Sequence, residues 1–187
     1  MGELGFELYI KMNESREIYN LIADKGKEFN LSHCGMFAMD TMRMEKGYLH
    51  WGHDMSPEEN QYEAGLKFAI SFKKYIDFVG KKAIEKIKNE KIKKKMVMLT
   101  LKNSQPGSPL LLHDEPIYCE GKIVGRTTSG NYSFNYKKNM SLGYINLVSP
   151  IDELANKDFF IEVEKKQYPA ILEIQPIHDS KNVTIKS

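Results

Sequence analysis

The sequence predicts an α+β protein with its helices early and its strands late. Apolar residues recur at helical spacing in several segments before residue 90, and a basic connector follows at residues 91–95. Beyond it come short alternating runs separated by Gly, Pro and Asn, the pattern of a small β-barrel or sandwich. The boundary falls near residue 92, giving a mixed unit over 1–92 and a β-unit over 93–187.

Each element has its own signal. Residues 2–10 read as a strand, because Leu4, Phe6, Leu8 and Ile10 alternate with Gly5, Glu7 and Tyr9. Asn13 is the expected N-cap of a first helix, in which Ile18, Leu21 and Ile22 share a face before Gly26. A second helix is expected over 36–45, closed by Gly47, with Asp40 and Arg43 one turn apart. Residues 52–59 form a turn region, 66–72 a strand, and 77–88 a capped helix burying Ala83, Ile84 and Ile87. The β-unit carries strand patterns at 96–101, 115–119, 123–129, 141–147, 159–163 and 168–174. Glu120-Gly121 marks a tight hairpin between the second and third.

Composition narrows the functional classes. A formal net charge of +2 gives no general field for nucleic acid or an anionic membrane. No apolar run approaches the roughly 18 residues of a membrane helix, and no basic segment followed by an apolar core marks a secretory signal. Cys34 and Cys119 fit neither a disulfide framework nor a CxxC metal site, so two free thiols in a reducing cytoplasm are expected. A strand pattern directly behind Met1, with no lead-in, reads as a sign of truncation, because chain ends fray unless tied down.

Four stretches carry a resemblance. They are Gly2-Glu3-Leu4-Gly5-Phe6-Glu7; Asp40-Thr41-Met42-Arg43 continuing through Lys46-Gly47-Tyr48 and Trp51-Gly52-His53-Asp54; Glu63-Ala64-Gly65-Leu66 with Asp77-Phe78-Val79-Gly80; and Glu115-Pro116-Ile117-Tyr118 with Val124-Gly125, Thr128-Ser129-Gly130 and Leu142-Gly143-Tyr144. In this order and spacing they resemble the aminomethyltransferases of glycine cleavage. The Lys-Gly-Tyr-x-x-Trp-Gly-His form is similar to the dimethylglycine/sarcosine dehydrogenase branch.

The resemblance implies the second half of a folate-binding module followed by a C-terminal β-barrel. It also implies that the half carrying the proton-handling aspartate, and an FAD oxidase domain before it, lie outside this chain. No GxGxxG follows a strand here. In complete relatives FAD oxidises an N-methyl group, and tetrahydrofolate captures the one-carbon unit as 5,10-methylenetetrahydrofolate. This chain is expected to supply one wall of the folate pocket and no catalytic residue, and to be inactive alone. Tetrahydrofolate, an FAD-containing oxidase polypeptide and a second copy of the chain are the implied partners; nucleic acid and membrane are not. A non-catalytic folate-binding protein, or a gene fragment without activity of its own, is the alternative.

Three residues are candidates for the cofactor. Glu7 matches the family's pterin-binding glutamate, and a carboxylate can accept from the adjacent N–H donors of a pterin. Arg43 matches an arginine near the aminobenzoyl-glutamate; an internal ion pair with Asp40 or Glu45 is the competing use. Trp51, the only tryptophan, offers a stacking surface or a core side chain. His50 and His53 lack a third ligand for a metal, Glu63 fastens a loop, Tyr144 lies in a motif stretch, and the eight lysines in residues 81–95 read as a solvated face.

Overall fold

The computed structural model describes residues 3–74, 76–146 and 149–186. Helices α1 (Ser15–Gly26), α2 (Met36–Glu45) and α3 (Lys81–Lys88) come first, and then strands β1 (Lys94–Leu101), β2 (Pro116–Cys119), β3 (Lys122–Ser133) and β4 (Lys138–Asn146). A single turn, α4 (Ile151–Leu154), leads into β5 (Phe159–Val163) and β6 (Lys166–Glu173). The six strands close into an antiparallel barrel in the order β1-β4-β3-β2-β5-β6. Closure leaves no edge among them to recruit another chain.

Strand alternation sorts side chains to two places. Val97, Leu99 and Leu101 point inward with Ile117, Ile145, Phe159, Ile161 and Leu172, filling the barrel. Their neighbours Met98, Met140 and Leu142 face outward and would be wet without a cover; Met44 of α2 packs on them. A buried Met side chain contributes about 1.5–3 kcal/mol, so Met44 is a main anchor of α2 on the barrel.

Two hairpins need left-handed backbone. Glu120 and Gly121 have φ of 51° and 74°, both residues positive as a type I′ turn requires. Glu164 and Lys165 do the same at 51° and 64° without a glycine, joining β5 to β6. Gly125 answers to a different constraint. A Cβ there would collide with the Tyr144 carbonyl and with Ile145 Cα across the β3–β4 ladder.

Several sequence expectations are corrected. Residues 3–10 run as an exposed, unpaired segment rather than a strand, and Gly2 lies outside the described residues. Their alternation is real, but a strand needs a ladder partner, and none meets them among the described residues. Residues 66–72 likewise hold a short 3-10 turn, Lys67–Ala69, in place of a strand. Asn13 does not cap α1: it sits inside a 3-10 turn, Met12–Glu14, and no side chain caps the helix. The third helix starts at Lys81 rather than 77, and Asp77 instead pairs with Lys81 at 2.8 Å. The expected 141–147 strand holds through Asn146; Leu147 lies outside the described residues.

Candidate functional site

Helix α2 ends where the turn that carries Trp51 begins, and the two are joined by charge. Gly47, at φ 71°, ends the helix and turns the chain toward residues 48–55. Arg43 stands in the last turn of α2, where a cation suits the helix dipole. Its Nε donates to Asp40 Oδ1 at 2.6 Å, and its Nη1 to Asp54 Oδ2 at 2.6 Å and to the Tyr48 carbonyl at 3.0 Å. Nη2 donates to Ser129 Oγ at 2.9 Å, so the planar fork is engaged on three sides.

Asp54 is the hub of this network. Its side chain is fully buried, a costly place for a carboxylate unless its lone pairs are filled. They are: Oδ2 also accepts the His50 backbone N–H at 2.8 Å, while Oδ1 accepts Thr128 Oγ1 at 2.6 Å and Ser129 Oγ at 2.7 Å. The turn is closed by its own backbone as well, Asp54 N–H to His50 O and Gly52 N–H to Met55 O, both 2.8 Å.

The turn displays its rings outward. Trp51 is 63% exposed, so core packing, its competing use, is not where it sits. His50 and His53 stack on each other with ring centres 4.8 Å apart. No group of three metal-ligating side chains exists among the described residues. Glu7 is exposed and accepts the Tyr9 hydroxyl at 2.8 Å, leaving most of its lone pairs free.

Next to this latch the loop meets the barrel through further charges. Lys94 Nζ donates to Glu59 Oε1 at 2.7 Å and lies over the Tyr144 ring, 5.0 Å from its centre. Burial, with help from the carboxylates of Glu59, Asp54 and Glu63, pushes the Tyr144 hydroxyl pKa far up, so the phenol stays protonated. Glu63 does fasten its loop: Oε2 accepts the Asn60 N–H at 3.2 Å, and its carbonyl accepts the Met96 N–H of β1 at 2.8 Å. Farther along α2, the buried Glu45 takes Ser133 Oγ and Asn135 Nδ2, and the buried Lys46 holds Asp179 of the C-terminal tail.

Arg43 and Trp51 therefore belong to one local unit, while Glu7 stands on a separate exposed segment. Reading the residues alone missed Asp54, Thr128 and Ser129 as members of that unit. All three lie in motif stretches, but their meeting joins residues more than 70 positions apart, which no local pattern displays. The arrangement can hold an aromatic ring outward on a rigid turn, beside the helix end and the barrel wall.

A mixed segment whose charged helix end latches it to the outside of a closed six-stranded barrel defines a recognisable class of protein. The model of the GCVT N-terminal domain matches residues 1–74, and that of the glycine cleavage T-protein C-terminal barrel domain matches residues 94–179. The chain belongs to the glycine cleavage T-protein family. Human mitochondrial dimethylglycine dehydrogenase is 35% identical over 178 residues, covering 94% of this chain and 20% of that protein. The aminomethyltransferase of Symbiobacterium thermophilum is 35% identical over 144 residues, 77% of this chain and 37% of that one. The crystal structure of glycine cleavage system aminomethyltransferase T from Bartonella henselae shares the fold, with a TM-score of 0.73 at 20% identity over 88% of this chain and 45% of that one. The chain thus spans about a fifth of the dehydrogenase. No helix among the described residues is long and apolar enough to cross a membrane.

Proposed function

We propose that this chain forms one wall of a tetrahydrofolate site of the dimethylglycine/sarcosine dehydrogenase and aminomethyltransferase kind. The carrying observation is Trp51, an exposed indole on a turn whose backbone is fixed by the buried Asp54. An aromatic ring held outward at low entropic cost suits stacking on a pterin or aminobenzoyl ring. Glu7, with free lone pairs, takes the N–H edge of the pterin. Arg43 uses four of its five N–H groups internally, so it offers the ligand one donor at most and mainly fixes the turn.

Bound tetrahydrofolate supplies the nitrogens that take up a one-carbon unit as 5,10-methylenetetrahydrofolate. This chain binds and orients it and contributes no catalytic residue. Oxidation of an N-methyl group belongs to an FAD-containing oxidase polypeptide, in the same chain or a separate one. A cytoplasmic setting keeps Cys34 and Cys119, both free, as thiols.

A second reading is favoured by one observation: Leu4 and Phe6 on the N-terminal segment, and Met36 and Phe37 at the start of α2, are largely exposed. Apolar side chains left bare in this way fit coverage by another polypeptide or a second copy. In that reading the chain binds folate only once covered and has no independent activity.

Titration of the protein with tetrahydrofolate, followed by Trp51 fluorescence, tests the proposal. Saturable quenching at micromolar ligand supports it, and an unchanged emission with no heat of binding rejects it.

A further inference from the structure

We infer that Asp54 is the positioning residue of this face, and that through it two barrel hydroxyls, Thr128 and Ser129, set how Trp51 is presented. The ligand in this inference rests on the function proposed above; the positioning does not.

Asp54 touches three elements at once. Its four donors come from α2 (Arg43 Nη1, 2.6 Å), from the turn (His50 N–H, 2.8 Å) and from β3 (Thr128 Oγ1, 2.6 Å; Ser129 Oγ, 2.7 Å). The backbone bonds of residues 50–55 close the turn on itself, and its first residue is tied to α2 by the Tyr48 N–H to the Arg43 carbonyl at 2.8 Å, but none of these backbone bonds reaches the barrel. Trp51, largely exposed, gains little orientation from packing, so the turn beneath sets where the indole points.

The barrel is shaped for this contact. In a regular strand, consecutive residues point to opposite faces, and Thr128 and Ser129 could not both reach one carboxylate. The β3–β4 register shifts between Thr127 and Ser129, and this bulge turns both hydroxyls to the same oxygen, Asp54 Oδ1. Ser129 Oγ also accepts from Arg43 Nη2 at 2.9 Å while donating to Asp54, so β3 fixes both members of the ion pair. A distortion of the barrel wall, where continuous pairing would have served stability, places two donors on the residue that orients the ring.

The test uses the full chain and its single tryptophan, so that emission reports on this turn alone. Acrylamide quenching of ligand-free protein reads the presentation of Trp51, and tetrahydrofolate titration reads its consequence. Asp54→Asn keeps the shape but turns an acceptor into a donor facing donors. It is expected to change the quenching constant about twofold and raise the tetrahydrofolate Kd about tenfold. The Thr128→Val/Ser129→Ala double variant moves both in the same direction but less, the Kd by about threefold, whereas Thr128→Ser, which keeps the hydroxyl, stays at wild type. If Asp54→Asn does not fold, the double variant and Thr128→Ser decide the matter. Wild-type quenching in the double variant, or equal shifts in the double variant and Thr128→Ser, overturns the inference. Should the wild-type chain bind no tetrahydrofolate, the function proposed above fails, while the quenching comparison still decides the positioning.

Discussion

Arg43 Nη1 and Asp54 Oδ2 lie 2.6 Å apart, the arginine side chain 14% exposed and the aspartate not at all. The pair joins the end of α2 to the Trp51 turn and shares its second arm with β3. Removing either partner strands a buried charge, and that penalty exceeds what the pair itself contributes. Arg43→Ala is therefore expected to cost about 3 kcal/mol or more in urea unfolding, and Arg43→Lys to recover only part of it, because an ammonium cannot span Asp40, Asp54 and Ser129. Asp40→Ala, at the more exposed end, costs about 0.5–1 kcal/mol. Equal losses for Arg43→Ala and Asp40→Ala would mean that Asp54 is not the dominant partner.

Ligand affinity separates Trp51 and Glu7 from the rest of the surface. Trp51→Ala removes an aromatic platform, worth about 0.5–1.5 kcal/mol beyond the area it covers, so tetrahydrofolate binding weakens by about tenfold. Glu7→Gln keeps the size but replaces a charged acceptor by a neutral one and weakens binding by a smaller factor. Lys122→Ala, exposed at the start of β3, serves as the control and leaves affinity unchanged. Calorimetry on the three variants checks the order, and a Lys122→Ala loss as large as that of Trp51→Ala would point to a different site.

How much of this was legible in the sequence depends on how local the cause is. The bounds of α2 at Met36 and Glu45 follow from local apolar spacing and Gly47, and the Asp40–Arg43 contact follows from helical geometry. The Glu120-Gly121 hairpin is spelled in its own residues, whereas Glu164-Lys165 makes the same turn with none of the usual letters. The 3–10 segment and residues 66–72 carry strand-like alternation, yet a strand is a relation between two segments, and among the described residues no second segment pairs with either. Asp54 illustrates the same limit at the site. Its burial is decided by Thr128 and Ser129, and the bulge that brings them together is a property of the β3–β4 pairing.

Acid should loosen the junction between the loop and the barrel through Glu59. Burial alone would raise its carboxyl pKa, but the Lys94 ammonium and the Ser56 hydroxyl and N–H outweigh it and hold the folded value below 4.5. A carboxyl with a depressed folded pKa contributes stability that is fully present above its unfolded value, near 4.5, and is lost as pH falls through the folded one. Wild type should therefore lose stability faster than Glu59→Gln as pH drops from about 6 to about 3, the two curves converging at the acid end. Urea midpoints across that range check it, and parallel curves would show that Glu59 is not the group responsible.

Exposed apolar side chains make the last prediction. Phe6 is 87% and Phe37 86% exposed, with Leu4 and Met36 close to them in exposure. A fully buried side chain of this kind contributes about 1.5–3 kcal/mol, so covering a few of them outweighs much of the entropy lost on association. The barrel offers no free edge for the purpose, because its six strands close on themselves, so association is expected through exposed apolar side chains such as these rather than by strand pairing. Sedimentation of the isolated chain is expected to show concentration-dependent species heavier than 21.6 kDa. The Phe6→Asp/Phe37→Asp double variant should return it to a monomer. Neither residue belongs to the two buried clusters that join α2 and the barrel, so the thermal transition of the double variant should stay near that of the wild-type monomer. A wild-type chain that sediments as a single monomer at all concentrations would remove the case for covered side chains, and heavier species that survive both substitutions would move the contact elsewhere.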